Sequence, residues 1–130
     1  MPLQFTACRL ELPLKPWGTM AILKDRADEG AGHYLTLQRK REFSARDIQW
    51  RQADVYIEIC DQGWSWYGHI LSFVSAPKRL TVRLDAEAAA RMRGDGVVEV
   101  ELALPIDAAE AVRSALRQIF AGFSYFREEA

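Results

Sequence analysis

Glu58, Asp61, Tyr67 and His69 lie within twelve positions of one another and have the side chains for proton transfer. A carboxylate beside an imidazole is the raw material of general acid–base catalysis. All four straddle an expected hairpin, so cross-strand neighbours among them come within reach. Two strands exposing polar faces produce the same grouping without any catalysis. No nucleophile elbow, phosphate-binding glycine loop or paired-carboxylate signature accompanies them. A non-enzyme is therefore expected, and a small-ligand binder or enzyme built on this hairpin is the alternative. Metal chemistry has still less to work with. The two histidines, His33 and His69, are far apart, and a zinc site would have to gather them with a cysteine and a carboxylate from four separate elements. Neither a metal nor a cofactor is expected.

Aromatic side chains form the other constellation: Trp50, Trp64, Trp66 and Tyr67, with Arg46 and Arg51 nearby. Trp64 and Trp66 are two apart, so on a strand they share a face. Large aromatics are mostly buried, yet Trp, Tyr and Arg also dominate binding hot spots. One ring capping the core and another presented to a partner satisfies both tendencies. Candidate partner-binding residues are thus Trp50, Trp64, Trp66, Tyr67, Arg46, Arg51, Glu58 and Asp61.

These groups must be positioned by strands. Leu3 to Leu12 alternates loosely and reads as a first strand, ended by Pro13 and Pro16. Met20 to Leu23 reads equally as a short strand or a helical turn, and Asp28 to Gly32 is turn chemistry. Leu35 and Leu37 face one way and Thr36 and Gln38 the other, giving a strand over Tyr34–Arg41. Phe43 to Ala53 reads as a long loop. Val55, Ile57 and Ile59 alternate with Tyr56 and Glu58. A turn is expected at Gln62-Gly63, with Tyr67 to Val74 as the antiparallel return. Leu80 to Leu84 and Val98 to Leu104 are further strands. Asp85 is placed to cap a helix over Ala86–Met92, broken by Gly94-Asp95-Gly96. Asp107 and Glu110 have capping-box spacing for a last helix. Its stripe Val112, Leu116, Ile119, Phe120 faces a core, and Gly122 stops it. The expected fold is a single α+β domain over residues 1–130. Its antiparallel sheet has about five to six strands, with the short helix and the longer C-terminal helix on one face.

Composition bounds the function. The 130 residues are 49% hydrophobic and 27% charged, as in soluble globular proteins, and the net charge of -1 excludes the long-range field of a general nucleic-acid binder. The surplus of basic residues from Arg39 to Arg51 reads as a solvated loop. No run is long and apolar enough to span a bilayer, and the N-terminus lacks the pattern of a secretory signal. A cytoplasmic location is expected, with Cys8 and Cys60 as free thiols.

In their order, Tyr34, Leu35, Leu37, Gln38, Arg39, Asp47, Tyr56, Ile57, Glu58, Gln62, Tyr67, Gly68, Phe120 and Gly122 resemble the bacterial immunity protein 10 family. The similarity runs from about Ala27 to Gly122. It departs at His69, where a second glycine is expected, and at Ile48–Arg51, which replaces a plainer Leu-Gly stretch. The resemblance implies an antitoxin-like protein of a polymorphic toxin system. Such a protein binds a cognate toxin, normally encoded beside it, and has no catalytic residues to carry over. Its partner would be that toxin, with no nucleic acid and no membrane; a homodimer burying the tryptophans is a further assembly to test.

Overall fold

The computed structural model describes residues 2–25, 32–40, 54–92 and 94–129, with Asp61 and Gln62 described by their backbone alone. The Asp28–Ala31 part of the expected turn and the expected loop over 43–53 lie outside these residues. Phe5 and Ala7 are buried while Gln4 and Thr6 are exposed, the period of two that defines β1 (Leu3–Ala7). The chain continues as β2 (Arg9–Glu11), but in a different sheet. Ala103 N–H donates to the Ala7 carbonyl and Cys8 N–H donates to the Lys24 carbonyl, each at 2.9 Å. The hydrogen-bonding partner thus changes within one residue, and the single strand expected over Leu3–Leu12 is two.

The second sheet adds β3 (Gly18–Lys24), β4 (Tyr34–Lys40), β5 (Tyr56–Ile59) and β6 (Asp61–Tyr67), antiparallel throughout in the order β2-β3-β4-β5-β6. The first sheet holds β7 (Ile70–Ala76), β8 (Arg79–Leu84), β9 (Val97–Leu102) and β10 (Phe126–Glu128) in the order β1-β9-β8-β7-β10. Its two outer pairs, β1 with β9 and β10 with β7, are parallel. Two helices complete the described elements: α1 (Ala86–Met92) and α2 (Ile106–Ile119).

The class is α+β, but ten described strands form two sheets where about five to six in one sheet were expected. The shortfall has physical causes. Strands β2 and β10 are three residues each, too short for alternation to register. In β3, Ala21 and Leu23 are buried while Met20 and Ile22 on the other face are also half-buried, so an apolar run carries no period-two signal. The second hairpin is also displaced. Its turn is at Cys60, which has φ 61°, and the return strand is β6. Glu58 pairs with Ser65 and Ile59 with Asp61, so the register breaks between them. Tyr67 to Val74 is therefore no single strand. Gly68 (φ 80°) and His69 (φ 63°) redirect the chain from the second sheet into the first.

Both sheets and both helices contribute to one core. Val112, Ala115, Leu116 and Ile119 are the buried stripe of α2, which packs against β3 and β4. Just beyond the helix, Phe120 meets Phe73 of the first sheet with ring centroids 4.5 Å apart and stacks on Phe126 at 4.9 Å. Asp85 caps α1 as expected, accepting from Ala88 N–H at 3.0 Å. The capping box on α2 does not form. Pro105 is the N-cap residue without a side-chain bond, and Asp107 lies in the first turn, where its charge complements the helix dipole. At the other end the Arg39 Nη1 donates to the carbonyls of Ile119 (3.2 Å) and Ala121 (2.5 Å). Its guanidinium sits 4.6 Å over the Phe123 ring. A side chain from β4 thus satisfies orphan carbonyls at the helix end, and Gly122 turns the chain at φ 87°. Among the described residues no helix is long and apolar enough to cross a membrane.

Candidate partner-binding face

Strand alternation in the second sheet sorts its residues cleanly. Leu35, Leu37, Ile57 and Ile59 are fully buried on the inner face. Tyr34 and Thr36 on β4, Tyr56 and Glu58 on β5, and Ser65 and Tyr67 on β6 occupy the opposite, outer face, where Thr36 is buried and the other five are half-buried. Register aligns them in rows, with Thr36 beside Glu58 beside Ser65, and Gln38 beside Tyr56 beside Tyr67.

Glu58 organises this face. Its Oε2 accepts from the Tyr34 hydroxyl, and its Oε1 accepts from the Tyr56 hydroxyl at 2.5 Å. The Tyr56 ring in turn meets Tyr67, centroids 5.2 Å apart and tilted by 58°. Burial, followed by the adjacent Glu58 carboxylate, pushes the Tyr56 hydroxyl above its ordinary range, so it remains a donor throughout neutral conditions. Three tyrosines and one carboxylate are thereby held in fixed mutual positions. Such a surface offers large amphipathic area whose rotamers are already chosen. Tyr34 and Tyr56 were missed as binding candidates, although their alternation with Leu35 and Ile57 placed them on the outward face.

Of the four proton-transfer candidates, the structure gives Glu58 and His69 different partners. Glu58 is engaged by tyrosines, whereas the His69 Nδ1 lies 2.8 Å from Asp85 Oδ2 and 3.8 Å from Glu87 Oε2. Asp85 is held below the usual carboxylate range, first by the Ala88 amide and also by His69. The side chain of Asp61 lies outside the description. His33 belongs elsewhere again. Its backbone N–H donates to Asp25 Oδ2 at 2.8 Å, and its ring stacks on Phe5 with centroids 5.7 Å apart. Among the described residues no three His, Cys, Asp or Glu side chains converge on a metal-sized site.

The tryptophans divide. Trp66 is 7% exposed and belongs to the core, with the Arg91 guanidinium 5.9 Å from its ring centroid. Trp64, on the same face of β6, packs at the core's edge and lines a surface cleft of about 210 Å³ with Leu3 and Met92. Arg46, Trp50 and Arg51 lie outside the described residues.

One further network fixes the end of β6. The carboxylate of Asp54 accepts from Val55 N–H at 2.7 Å and from the Tyr125 hydroxyl at 3.4 Å. A Cβ on Gly68 would stand 2.7 Å from Asp54 Oδ2 and push that carboxylate from its partners, and the positive φ itself favours glycine here. Burial, reinforced by the Asp54 charge, pushes the Tyr125 hydroxyl well above its ordinary range.

No curated protein and no solved structure matches the chain. A family model does, over residues 18–110. This stretch contains β3 to β9 and with them the whole tyrosine face, and it stops short of Phe120 and Gly122, which had contributed to the resemblance. Because the family described as Immunity protein 10 matches well over half of the sequence, the chain belongs to that family.

Proposed function

We propose that this chain is a cytoplasmic, single-domain immunity protein that neutralises a cognate bacterial toxin by binding and occluding it. The observation that carries this reading beyond family membership is the preorganised outer face of Tyr34, Tyr56, Glu58 and Tyr67. Tyrosine on a rigid sheet supplies contact area at low entropic cost, and hydroxyls already held by Glu58 lose little further freedom on binding. A specific interface buries on the order of 800 Å² per partner, which one sheet face and an adjoining loop can provide. Trp64 lies on the opposite face of β6, where its cleft with Leu3 and Met92 is a separate candidate contact. Arg46, Trp50, Arg51 and Asp61 remain candidates from their residue types, and Trp66 acts by supporting the strand from beneath. The chemistry is recognition, with no catalytic step and no cofactor.

The test is capture of the toxin encoded beside this chain, together with protection of cells expressing it. Wild type is expected to bind and protect. Tyr67→Ala and Glu58→Ala are expected to remain folded and lose both properties. Undiminished capture by the two variants would remove this face from the interface; failure of the wild type to capture or protect would remove the function itself.

A further inference from the structure

A second surface is independent of the tyrosine face and carries its own complementarity. Five large hydrophobic side chains are exposed among the described residues, and four of them, Leu12, Leu14, Trp17 and Ile106, lie on the β2–β3 loop or at the start of α2. Leu14 is 99% exposed and Ile106 77%. Isolated exposed apolar residues need no explanation, but Leu12 and Leu14 adjoin each other at one cleft. Beside Leu14 lies a cleft of about 330 Å³ between that loop and the helix, with Ala111, Ser114, Ala115 and Gln118 as its helical wall. Thr19 Oγ1 donates to Gln118 Oε1 at 3.0 Å and ties the wall to β3. A protruding leucine and a cleft floored by small side chains are therefore neighbours in one patch.

Charge on α2 is arranged in the same sense. Its exposed stripe runs Asp107, Glu110, Ser114, Arg117, acidic in the first turn and basic in the last. A twofold axis near Ser114 would set two such helices antiparallel. Glu110 of each copy would then face Arg117 of the other, Ile106 would face Ala121, and small residues would cross at the centre. Arg117 Nε already donates to Glu128 Oε1 at 2.8 Å, and a guanidinium has further donors for a second carboxylate. Ser114 belongs both to the cleft wall and to the charged stripe, so knob, cleft and charge gradient adjoin one another, as an isologous contact requires.

We propose that this chain self-associates through the exposed face of α2 and the Leu12–Trp17 loop, with Leu14 of each copy seated in the other's Ala111–Ser114 cleft. The exposed side of a helix about 21 Å long, with its flanking loop, makes a small interface. Association is therefore expected in the micromolar range.

Sedimentation equilibrium of the purified full chain tests this. The weight-average mass of wild type should rise with concentration from 14.8 kDa toward twice that value. Leu14→Asp and Ser114→Arg both alter exposed positions, so circular dichroism should show native folds, while the mass stays at that of one chain. Glu110→Arg should weaken association by about tenfold, and the double variant Glu110→Arg, Arg117→Glu should restore it. A wild type that remains monomeric at every concentration overturns the proposal. So does a dimer indifferent to Leu14→Asp and Ser114→Arg. A monomeric wild type whose toxin capture is lost in Leu14→Asp would assign the patch to the toxin and likewise overturn self-association.

Discussion

The two faces of the second sheet are made by the same strands and alternate residue by residue, yet different forces govern them. On the inner face Leu35, Leu37, Ile57 and Ile59 have no exposure, and their contribution is burial, which is non-directional. On the outer face Tyr34, Glu58 and Tyr56 are joined by directed hydrogen bonds, and Thr36 beneath them is 6% exposed. The inner face therefore determines whether the chain folds, and the outer face determines what a folded chain presents. Substitutions should separate the two properties.

The largest effect is expected at the helix that closes the inner face. Leu116→Ala should cost about 2–5 kcal/mol in urea titration, while affinity for the proposed toxin partner, per folded molecule, stays unchanged. Stability equal to wild type would mean that Leu116 is not in the core. Tyr67→Ala should show the reverse, losing about 2–4 kcal/mol of toxin affinity by calorimetry with stability changed by less than about 1 kcal/mol. Equal losses in both would show that the outer face is chiefly structural.

Gly68→Ala probes the junction where β6 leaves the second sheet. A positive φ and the approach of Asp54 Oδ2 predict a loss of about 1–3 kcal/mol, read as a lowered thermal midpoint. An unshifted midpoint would mean that the junction can relax. At the next junction, Asp85→Ala should remove about 1 kcal/mol at neutral pH through the lost helix cap. Because Asp85 has a depressed carboxylate value in the folded chain, its contribution is present above the ordinary carboxylate range. The unfolded chain takes up the proton first, so the difference between wild type and variant should shrink as pH falls below about 4. A gap constant down to acid pH would contradict the assignment. The smallest effect concerns Tyr125, whose hydroxyl is raised in the folded state. Its contribution is complete below about pH 10 and declines as pH rises toward the folded value, so Tyr125→Phe should flatten the alkaline limb of the stability profile.

Positions with a clear period were legible without coordinates. The α2 stripe, the Asp85 cap and strands β4, β5, β8 and β9 follow from spacing, because a period of two or 3.6 reports directly which face is buried. The Cys60 turn was not legible, since a non-glycine residue at positive φ has no composition signal, and Gln62-Gly63 offered a more conventional hairpin turn two residues later. Nor was the absent capping box on α2. Asp107 and Glu110 have the right spacing, but Pro105 sets the helix start two residues earlier than Asp107 would. The exposed Leu12–Trp17 loop also passed unnoticed, because its apolar content resembles that of a buried segment.

By itself the sequence determined the α+β class, the family to which the chain belongs and the buried faces of β4, β5, β8 and α2, because each is encoded locally or in linear order. Tertiary structure decided that β1 and β2, and likewise β6 and β7, separate into different sheets. It also decided that Glu58 meets Tyr34 and Tyr56 while His69 turns to Asp85. Those outcomes depend on which distant strand supplies the next hydrogen-bond partner, and alternation along one strand identifies its faces but never its neighbours.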